Sequence, residues 1–279
     1  MTAPFIGSEA QASGAVTPYQ LRSRYVAVHR DVYLPRGVEL TATSRARAAW
    51  LWSGRGAVVA GRSAAALHGA KWVDDDAPAE ILYDNRRPPN GIRTWSDRFE
   101  EDEVETVRGL VVTTPARTAL DMACRYPLPQ AVAAIDALAR ATKLKVADVE
   151  LLAQRYRGRR GIRAALEALD LVDAGAESPQ ETRVRLILVR AGFPRPETQI
   201  PVYDEYGQLV AVLDMGWREI MVGVDYEGEH HRMSRRSFDR AIRRAEAVSE
   251  LGWDDVRVTA EDTDGSIIGR VGRAFARRT

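Results

Sequence analysis

The sequence has almost no cysteine and no long apolar run, and each absence excludes a class of protein. Its 279 residues include one cysteine, Cys124, which leaves no partner for an internal disulfide and excludes a zinc site built on cysteines. No apolar stretch approaches the roughly 18 residues that suggest a membrane-spanning helix. Residues 1–13 have neither a basic start nor an apolar centre, unlike a secretory signal. We therefore expect a soluble, cytoplasmic protein without a membrane partner.

The composition permits a large hydrophobic core, and the pattern of charged residues is more informative about binding partners. Hydrophobic residues make up 45% of the chain and charged residues 28%, with a net charge of +1. That small net charge averages many residues of both signs, and the basic ones cluster at 155–163 and 232–244. Local clusters matter more than the total for binding a polyanion. Each cluster is equally consistent with a solvated helix face.

The pattern predicts three segments, 1–40, 41–172 and 173–279. In the first, Thr17 can cap a short helix, and two alternating stretches ending at Pro35 follow it like a hairpin. This is the outline of a truncated winged helix-turn-helix. In its helix, the candidate DNA contacts are Gln20, Arg22 and Arg24.

The second segment alternates alanine-rich helical stretches with short strands, which predicts an α+β region. The stretch Asp173-Ala174-Gly175-Ala176 is the expected boundary before the third segment. From there the order is helix, three strands, helix, strand, with helices at 178–190 and 234–251. The predicted fold class is therefore α/β in the third segment, preceded by an α+β region that begins in a winged-helix-like module.

Acidic side chains end two of the predicted strands of the third segment. Asp214 and Asp225 each follow an apolar strand, and Glu227 projects to the same face as Asp225 if its strand persists. Such carboxylates can share a divalent cation, Mg²⁺ or Mn²⁺, which lowers the pKa of a bound water for phosphodiester hydrolysis. Acidic residues at strand ends also simply cap turns.

Two further residues complete the candidate catalytic set. Glu181, from the preceding helix, can supply another ligand directly or through water. His231 can orient or deprotonate the attacking water, or protonate the leaving oxygen, although a lone histidine is more often an ordinary surface residue.

The predicted helix after this site carries a basic face. Its candidate phosphate contacts are Arg232, Arg235, Arg236 and Arg240, which would bind the nucleic-acid backbone without reading bases. The alternative is a solvated face over a core stripe of Phe238, Ile242 and Ala245.

The third segment resembles a known family over residues 176–262. The resemblance is carried by Glu177-Ser178-Pro179-Gln180-Glu181-Thr182-Arg183, Gly192-Phe193-Pro194, Val212-Leu213-Asp214, Val224-Asp225-Tyr226-Glu227-Gly228-Glu229-His230-His231-Arg232, Asp239-Arg240 and Gly252-Trp253. These motifs resemble an actinobacterial family similar to the very-short-patch-repair (Vsr) endonucleases of the PD-(D/E)XK superfamily. The resemblance implies a restriction-endonuclease-like core in which Asp214 is the superfamily aspartate. It also implies that Asp225 and Glu227 take the second acidic motif and that His231 matches the family histidine.

This chain departs from the family pattern at the second motif. The family usually has Glu-Tyr-Asp-Gly where this chain has Asp225-Tyr226-Glu227-Gly228, and no lysine occupies the third superfamily position. Both positions remain acidic, so metal binding by Asp214, Asp225 and Glu227 is still expected.

A second resemblance covers residues 15–140. Thr17 to Gly37, Gly61-Arg62-Ser63-Ala64-Ala65 with His68-Gly69, and Thr113-Thr114-Pro115-Ala116-Arg117-Thr118-Ala119-Leu120-Asp121 resemble the AbiEi-type antitoxins of abortive-infection toxin–antitoxin systems. The resemblance implies an N-terminal winged helix that binds DNA and represses its own operon. Arg117 and Asp121 stand at i and i+4, which predicts a salt bridge on a helix surface.

Two functions follow from these observations. The first is a Mg²⁺-dependent DNA endonuclease positioned by an N-terminal DNA-binding module. The alternative is a non-catalytic DNA-binding regulator or type IV antitoxin-like protein that keeps the nuclease fold as a scaffold. In either case DNA is the expected partner, and a protein encoded nearby is a further candidate.

Overall fold

A computed structural model of the chain describes residues 2–228 and 235–278, and for residues 235–241 it describes the backbone alone. The chain divides into two compact units, Met1–Val172 and Asp173–Thr279. In the part of the chain that is described, no helix is long and apolar enough to cross a membrane.

The first unit begins with a small module of helices and strands. The elements are β1 (Phe5–Ile6), α1 (Gly7–Ala12), α2 (Pro18–Arg24), β2 (Tyr25–His29) and β3 (Val32–Pro35). The strands form one antiparallel sheet in the order β1-β3-β2. A small core of Ala10, Val16 and Leu21 holds the two helices together. The module is therefore a helix pair followed by a hairpin, of which the sequence predicts the second helix, capped by Thr17, and the hairpin.

The rest of the first unit is a five-stranded sheet covered by helices. Its elements are α3 (Ala42–Trp52), β4 (Val58–Val59), α4 (Gly61–Leu67), β5 (Ala79–Leu82), β6 (Ile92–Trp95), β7 (Val104–Val107), β8 (Leu110–Thr113), α5 (Pro115–Arg125), α6 (Leu128–Thr142), α7 (Val146–Arg155) and α8 (Ile162–Asp170). The strand order is β6-β5-β4-β8-β7, with parallel pairing of β5 to β6 and of β4 to β8. The amphipathic helix α5 begins at Pro115, where Thr114 accepts the Arg117 N–H as its cap.

The second unit contains a four-stranded sheet with helices packed against it. Its elements are α9 (Pro179–Arg190), β9 (Glu197–Tyr203), β10 (Leu209–Trp217), β11 (Val222–Glu227), α10 (Arg235–Glu250), β12 (Asp254–Thr259) and α11 (Asp264–Arg278). The order is β12-β11-β10-β9, in which β9, β10 and β11 form an antiparallel meander and β12 runs parallel to β11. Helices α9 and α11 pack on a core that includes Leu188, Val224 and Val271.

These elements confirm the mixed α/β class and the predicted order of helix, three strands, helix and strand. The strand β11 extends to Glu227, as is required for Glu227 to project to the same face as Asp225. Two details differ from the prediction. Ile242, expected in the core stripe of α10, is 40% exposed, whereas Val248 is buried. Helix α11 follows the last predicted strand and supplies Ile267 and Val271 to the core.

Candidate functional site

The helix α2 presents an exposed face in the N-terminal module. Thr17 Oγ accepts the Gln20 N–H at 3.2 Å, and Gln20 Oε1 accepts the Thr17 N–H at 2.9 Å, a reciprocal capping box. The Gln20 side chain therefore stabilises the start of the helix. Arg22 and Arg24 are exposed beside Tyr19, which is 74% exposed. This surface combines two cations with an aromatic ring, the side-chain types that contact phosphates and bases.

Arg117 and Asp121 do not form the surface salt bridge that their spacing predicts. Both side chains are fully buried, and Arg117 Nε donates to Asp121 Oδ1 at 3.0 Å. The prediction is wrong about exposure because the partners come from distant parts of the chain. The same guanidinium also contacts Glu103, the Tyr156 hydroxyl at 3.0 Å and the Arg98 carbonyl at 3.0 Å.

The other members of this network balance its buried charges. Arg159 Nη2 donates to Asp121 Oδ1 at 2.6 Å, and the Tyr156 hydroxyl donates to Glu103 Oε1 at 2.8 Å. Partial burial and the bond to Glu103 raise the pKa of Tyr156 to about 12. The network therefore joins α5 to the helical segment near Tyr156.

Glu80 is the centre of a second buried network. It accepts the Arg62 N–H at 2.8 Å, an Arg93 donor at 3.1 Å and the Tyr126 hydroxyl. Burial and the neighbouring Glu80 carboxylate raise the pKa of Tyr126. Gly61 lies against this group with φ +53°, and a side chain there would overlap Glu80. The motif beginning at Gly61 thus has a packing role.

In the second unit, Asp214 and Asp225 lie side by side where β10 and β11 run antiparallel. Met215 pairs with Val224 across the two strands, so Asp214 and Asp225 are the next residues beyond this pair. Asp225 Oδ1 accepts the Asp214 N–H at 2.8 Å, and Asp214 Oδ2 accepts the Tyr226 N–H at 2.7 Å. The structure therefore brings these two predicted carboxylates together.

Further carboxylates surround this pair. Burial, then the nearby charges of Asp225 and Glu181, raise the pKa of Asp214 to about 7. Burial and the Asp225 charge likewise raise the pKa of Asp255, a residue that sequence analysis did not identify. Glu181 is buried at the start of α9, where its carboxylate accepts the Glu177 N–H at 2.7 Å. The site thus holds more negative charge than its hydrogen bonds compensate.

Two arginines balance part of that charge. Arg244 of α10 lies 2.8 Å from Asp225 Oδ2 and donates to the Val212 carbonyl at 2.6 Å. Arg257 of β12 donates to Glu227 Oε1 at 2.7 Å. The predicted set did not include Arg257, because β12 reaches this face only through its parallel pairing with β11. Glu227 is therefore held by an ion pair in this arrangement.

Several predicted residues lie outside what the structure describes. His231 and Arg232 fall in the undescribed segment, and the side chains of Arg235, Arg236 and Arg240 fall in the part of α10 described by backbone alone. In residues 2–228 and the described side chains beyond them, no group of three or more histidine, cysteine, aspartate or glutamate residues is arranged as a metal site. The metal site therefore stays a prediction.

Comparison with known proteins finds a family model that matches part of this mixed α/β chain. The family model described as the AbiEi antitoxin C-terminal domain matches residues 57–173. The predicted AbiEi resemblance is thereby confirmed in part, with corrected bounds. The match omits the N-terminal module and extends beyond residue 140 to the end of the first unit. The Vsr-like assignment of residues 173–279 receives no support from it.

Two relatives come from Mycobacterium tuberculosis, namely uncharacterized protein Rv2248 of strain H37Rv and uncharacterized protein MT2308 of strain CDC 1551. Each is 32% identical to this chain over 177 residues, which is 62% of this chain. The match spans 65% of the length of each relative, just under two thirds. No solved structure matches the chain significantly.

Proposed function

We propose that the protein is a DNA-binding regulator of the antitoxin type whose second unit is a non-catalytic scaffold. The observation that carries this proposal is the AbiEi antitoxin family match over residues 57–173. A toxin encoded nearby is the protein partner that this class implies. Joint expression tests that part, because a toxic neighbouring gene should lose its toxicity when this chain is present.

The N-terminal module supports the DNA-binding part of the proposal. Two consecutive short helices followed by a hairpin supply the parts of a helix-turn-helix with a wing, in which the second helix contacts DNA. Here that helix is α2, and it exposes Arg22 and Arg24. The capping box with Thr17 fixes the start of α2.

The second unit supports the scaffold part, because its carboxylates are engaged by the protein. Asp225 Oδ1 accepts the Asp214 N–H, Arg244 lies 2.8 Å from Asp225 Oδ2, and Glu227 is paired with Arg257. Such hydrogen bonds and ion pairs connect the two strands through the protein's own groups, without a bound cation.

The decisive experiment measures binding of the full chain to duplex DNA from its own upstream region, with a chelator present. We expect binding to persist in the chelator. The double variant Arg22→Ala/Arg24→Ala should weaken it at least several-fold and flatten its salt dependence by up to about 0.9 per lost phosphate contact. Arg108→Ala is the control, since Arg108 is an exposed arginine of the first unit. Unchanged binding in the double variant would refute α2 as the DNA-contacting element.

A second candidate function is a metal-dependent endonuclease with a restriction-endonuclease-like core in the second unit. The specific observation in its favour is the pKa of Asp214, which burial and then the charges of Asp225 and Glu181 raise to about 7, since a divalent cation relieves such repulsion. The donors fit a hard cation in part. Asp214 and Asp225 would hold it, whereas Glu227 is paired with Arg257 and no third carboxylate among the described residues completes the site. A bound Mg²⁺ would supply charge neutralisation and a more acidic water.

Calorimetric titration of Mn²⁺ separates the two candidates, followed by a plasmid-nicking assay. Asp214→Asn is the variant, since an amide oxygen can still accept the Tyr226 N–H. Binding heat and nicking in the wild type that both vanish in Asp214→Asn would establish the nuclease. No heat and no nicking in the wild type, with chelator-resistant DNA binding, would establish the regulator.

A further inference from the structure

The outermost side chains of the helix α2 are a tyrosine and a serine. The buried side of the helix is marked by Leu21, which packs in the small core with Ala10 and Val16. At about 100° per residue around the helix, Tyr19 and Ser23 lie roughly 160° and 200° from Leu21, so they share the line that faces away from the core. Both are exposed, Tyr19 to 74%. A surface that approaches α2 therefore meets this outer stripe of Tyr19 and Ser23 first.

The two arginines of α2 flank this outer stripe. Arg22 follows Tyr19 by three positions and lies about 60° from it around the helix, and Arg24 follows Ser23 directly, about 100° away. When a helix enters the major groove of DNA, its outermost side chains meet the base edges, and cations beside them reach the phosphates. The sequence of α2 thus places two uncharged side chains toward the bases and two cations toward the backbone.

The carboxylates of the N-terminal module do not engage these two arginines. Glu9 pairs with Arg55 at 2.6 Å, and Asp31 accepts the Ser8 N–H at 3.0 Å. Among the described residues, no carboxylate lies within ion-pair distance of Arg22 or Arg24. Both guanidinium groups therefore remain open to phosphates, and the side chains between them need supply no charge.

Hydrogen bonds fix both ends of α2. The capping box of Thr17 and Gln20 holds the first turn. At the other end, Arg36 Nη2 donates to the Arg22 carbonyl at 3.2 Å, and the Arg36 N–H donates to the Arg24 carbonyl at 2.9 Å. These bonds satisfy carbonyls that the end of a helix leaves open. The outer stripe is therefore held in place before DNA binds, which lowers the ordering cost of recognition.

The outer stripe carries the groups that base readout uses. No residue that the structure describes bonds the Tyr19 hydroxyl, so it can donate to or accept from a base edge, and the ring can contact a thymine methyl group. The Ser23 hydroxyl donates to the Gln20 carbonyl at 3.4 Å, a long bond that leaves its oxygen able to accept. The Gln20 amide cannot bond adenine through both of its groups, because its oxygen accepts the Thr17 N–H.

We propose that Tyr19 and Ser23 read base edges in the major groove and determine which DNA sequence the protein prefers, whereas Arg22 and Arg24 supply affinity through phosphates. The proposal rests on the DNA-binding function argued above and names the residues of that surface that give it specificity. The four positions from Tyr19 to Ser23 rise about 6 Å along the helix, at roughly 1.5 Å per residue. Base pairs are about 3.4 Å apart along the duplex, so the two side chains can contact neighbouring base pairs.

The test compares two duplexes by fluorescence anisotropy with the full chain. One is DNA from the upstream region of its own gene, and the other has the same length and composition in shuffled order. Tyr19→Ala/Ser23→Ala should lower the ratio of the two Kd values at least about fivefold, the lower end of what one lost base contact costs. The slope of log Kd against log salt should stay at the wild-type value, because no phosphate contact is lost. Arg22→Ala/Arg24→Ala should weaken binding to both duplexes alike and keep the ratio.

Tyr206→Ala is the matched control. Tyr206 is 79% exposed in the turn between β9 and β10 of the second unit, and its loss should change neither the ratio nor the slope. Alanine is a better helix former than tyrosine or serine, so α2 should persist in Tyr19→Ala/Ser23→Ala. A wild-type ratio in that variant, or an equal loss in Tyr206→Ala, would overturn the base-reading role. A fall in the salt slope together with the ratio would also overturn it, because the whole helix contact would then have been lost.

Two results with the wild type separate this proposal from the proposed function. Equal binding to both duplexes would overturn base reading by Tyr19 and Ser23 and leave the DNA-binding function standing. Absence of binding to either duplex would instead overturn the DNA-binding function, and base reading with it.

Discussion

The carboxylates of Asp214 and Asp225 each bind the backbone of the neighbouring strand. Asp225 Oδ1 accepts the Asp214 N–H at 2.8 Å, and Asp214 Oδ2 accepts the Tyr226 N–H at 2.7 Å. The two groups thereby replace ladder hydrogen bonds where β10 and β11 separate. The charged form of Asp214 has an electrostatic cost, because burial and then the nearby charge of Asp225 raise the pKa of Asp214 to about 7.

Because of this electrostatic cost, we predict that the stability of the folded protein depends on pH. The pKa of Asp214 lies near 7 in the folded protein and near 3.8 in the unfolded chain. Between those values the folded state holds the extra proton, so raising the pH lowers the contribution of Asp214 to stability. Asp214→Asn removes the titration and keeps the acceptor for Tyr226. We expect this variant to be more stable than the wild type by roughly 2 kcal/mol at pH 8 and nearly equal to it near pH 4.

Thermal or urea unfolding at several pH values measures this difference. Glu250→Gln is the control, because Glu250 is an exposed carboxylate on α10 and should show no such trend. A stabilisation by Asp214→Asn that is largest in acid would contradict the expected sign.

The buried network around Arg117 predicts a large loss of stability on truncation. Arg117→Ala leaves Asp121 and Glu103 buried without their cation, and removing one partner of such a pair costs about 3–5 kcal/mol. Arg117→Lys should recover part of this loss. A single ammonium supplies the charge but cannot reach the Arg98 carbonyl and both carboxylates in the same geometry.

The control for this prediction is Arg55→Ala, which removes an exposed ion pair of 2.6 Å with Glu9 in the same unit. Urea unfolding should place its midpoint close to that of the wild type, as is usual for surface pairs. If Arg117→Ala unfolded at the same urea concentration as Arg55→Ala, the network would not contribute the stability that its burial implies.

Local sequence patterns were sufficient to predict the helices and strands of the second unit up to β12. Apolar strands that end in Asp214 and Asp225, and the cap at Ser178, are signals between close neighbours in sequence, and the structure places helix and strands where they predict. The residues near the site that were missed are Arg257 and Asp255. They reach it through β12, which pairs with β11 across the intervening helix α10, and no local period shows that pairing.

The same limit explains the error at Arg117 and Asp121. A spacing of i and i+4 establishes that two side chains share a helix face, but it does not show what covers that face. The covering residues, Glu103, Tyr156 and Arg159, lie 14 to 42 positions away in the sequence. The stripe predicted on α10 is wrong at one position. Its period is helical and Val248 is buried, yet Ile242 is 40% exposed.

Gly61 gives the sharpest test of the packing role of its motif. Its φ of +53° is in the left-handed region, which costs a residue with a side chain on the order of 1–2 kcal/mol. A Cβ at this position would also overlap Glu80 Oε2 and lie 2.5 Å from the Trp95 ring. Either Glu80 or Trp95 must move, and Glu80 is held by the Arg62 N–H and Tyr126. We therefore expect Gly61→Ala to destabilise the first unit by more than about 2 kcal/mol, since strain and overlap add.

Gly158→Ala is the matched control, because a Cβ there meets no atom within 4 Å and its φ lies outside the left-handed region. Urea unfolding of both variants beside the wild type measures the difference. A Gly61→Ala midpoint equal to that of Gly158→Ala would mean that the Glu80 network accommodates a methyl group without loss of stability. That result would refute the packing role of Gly61.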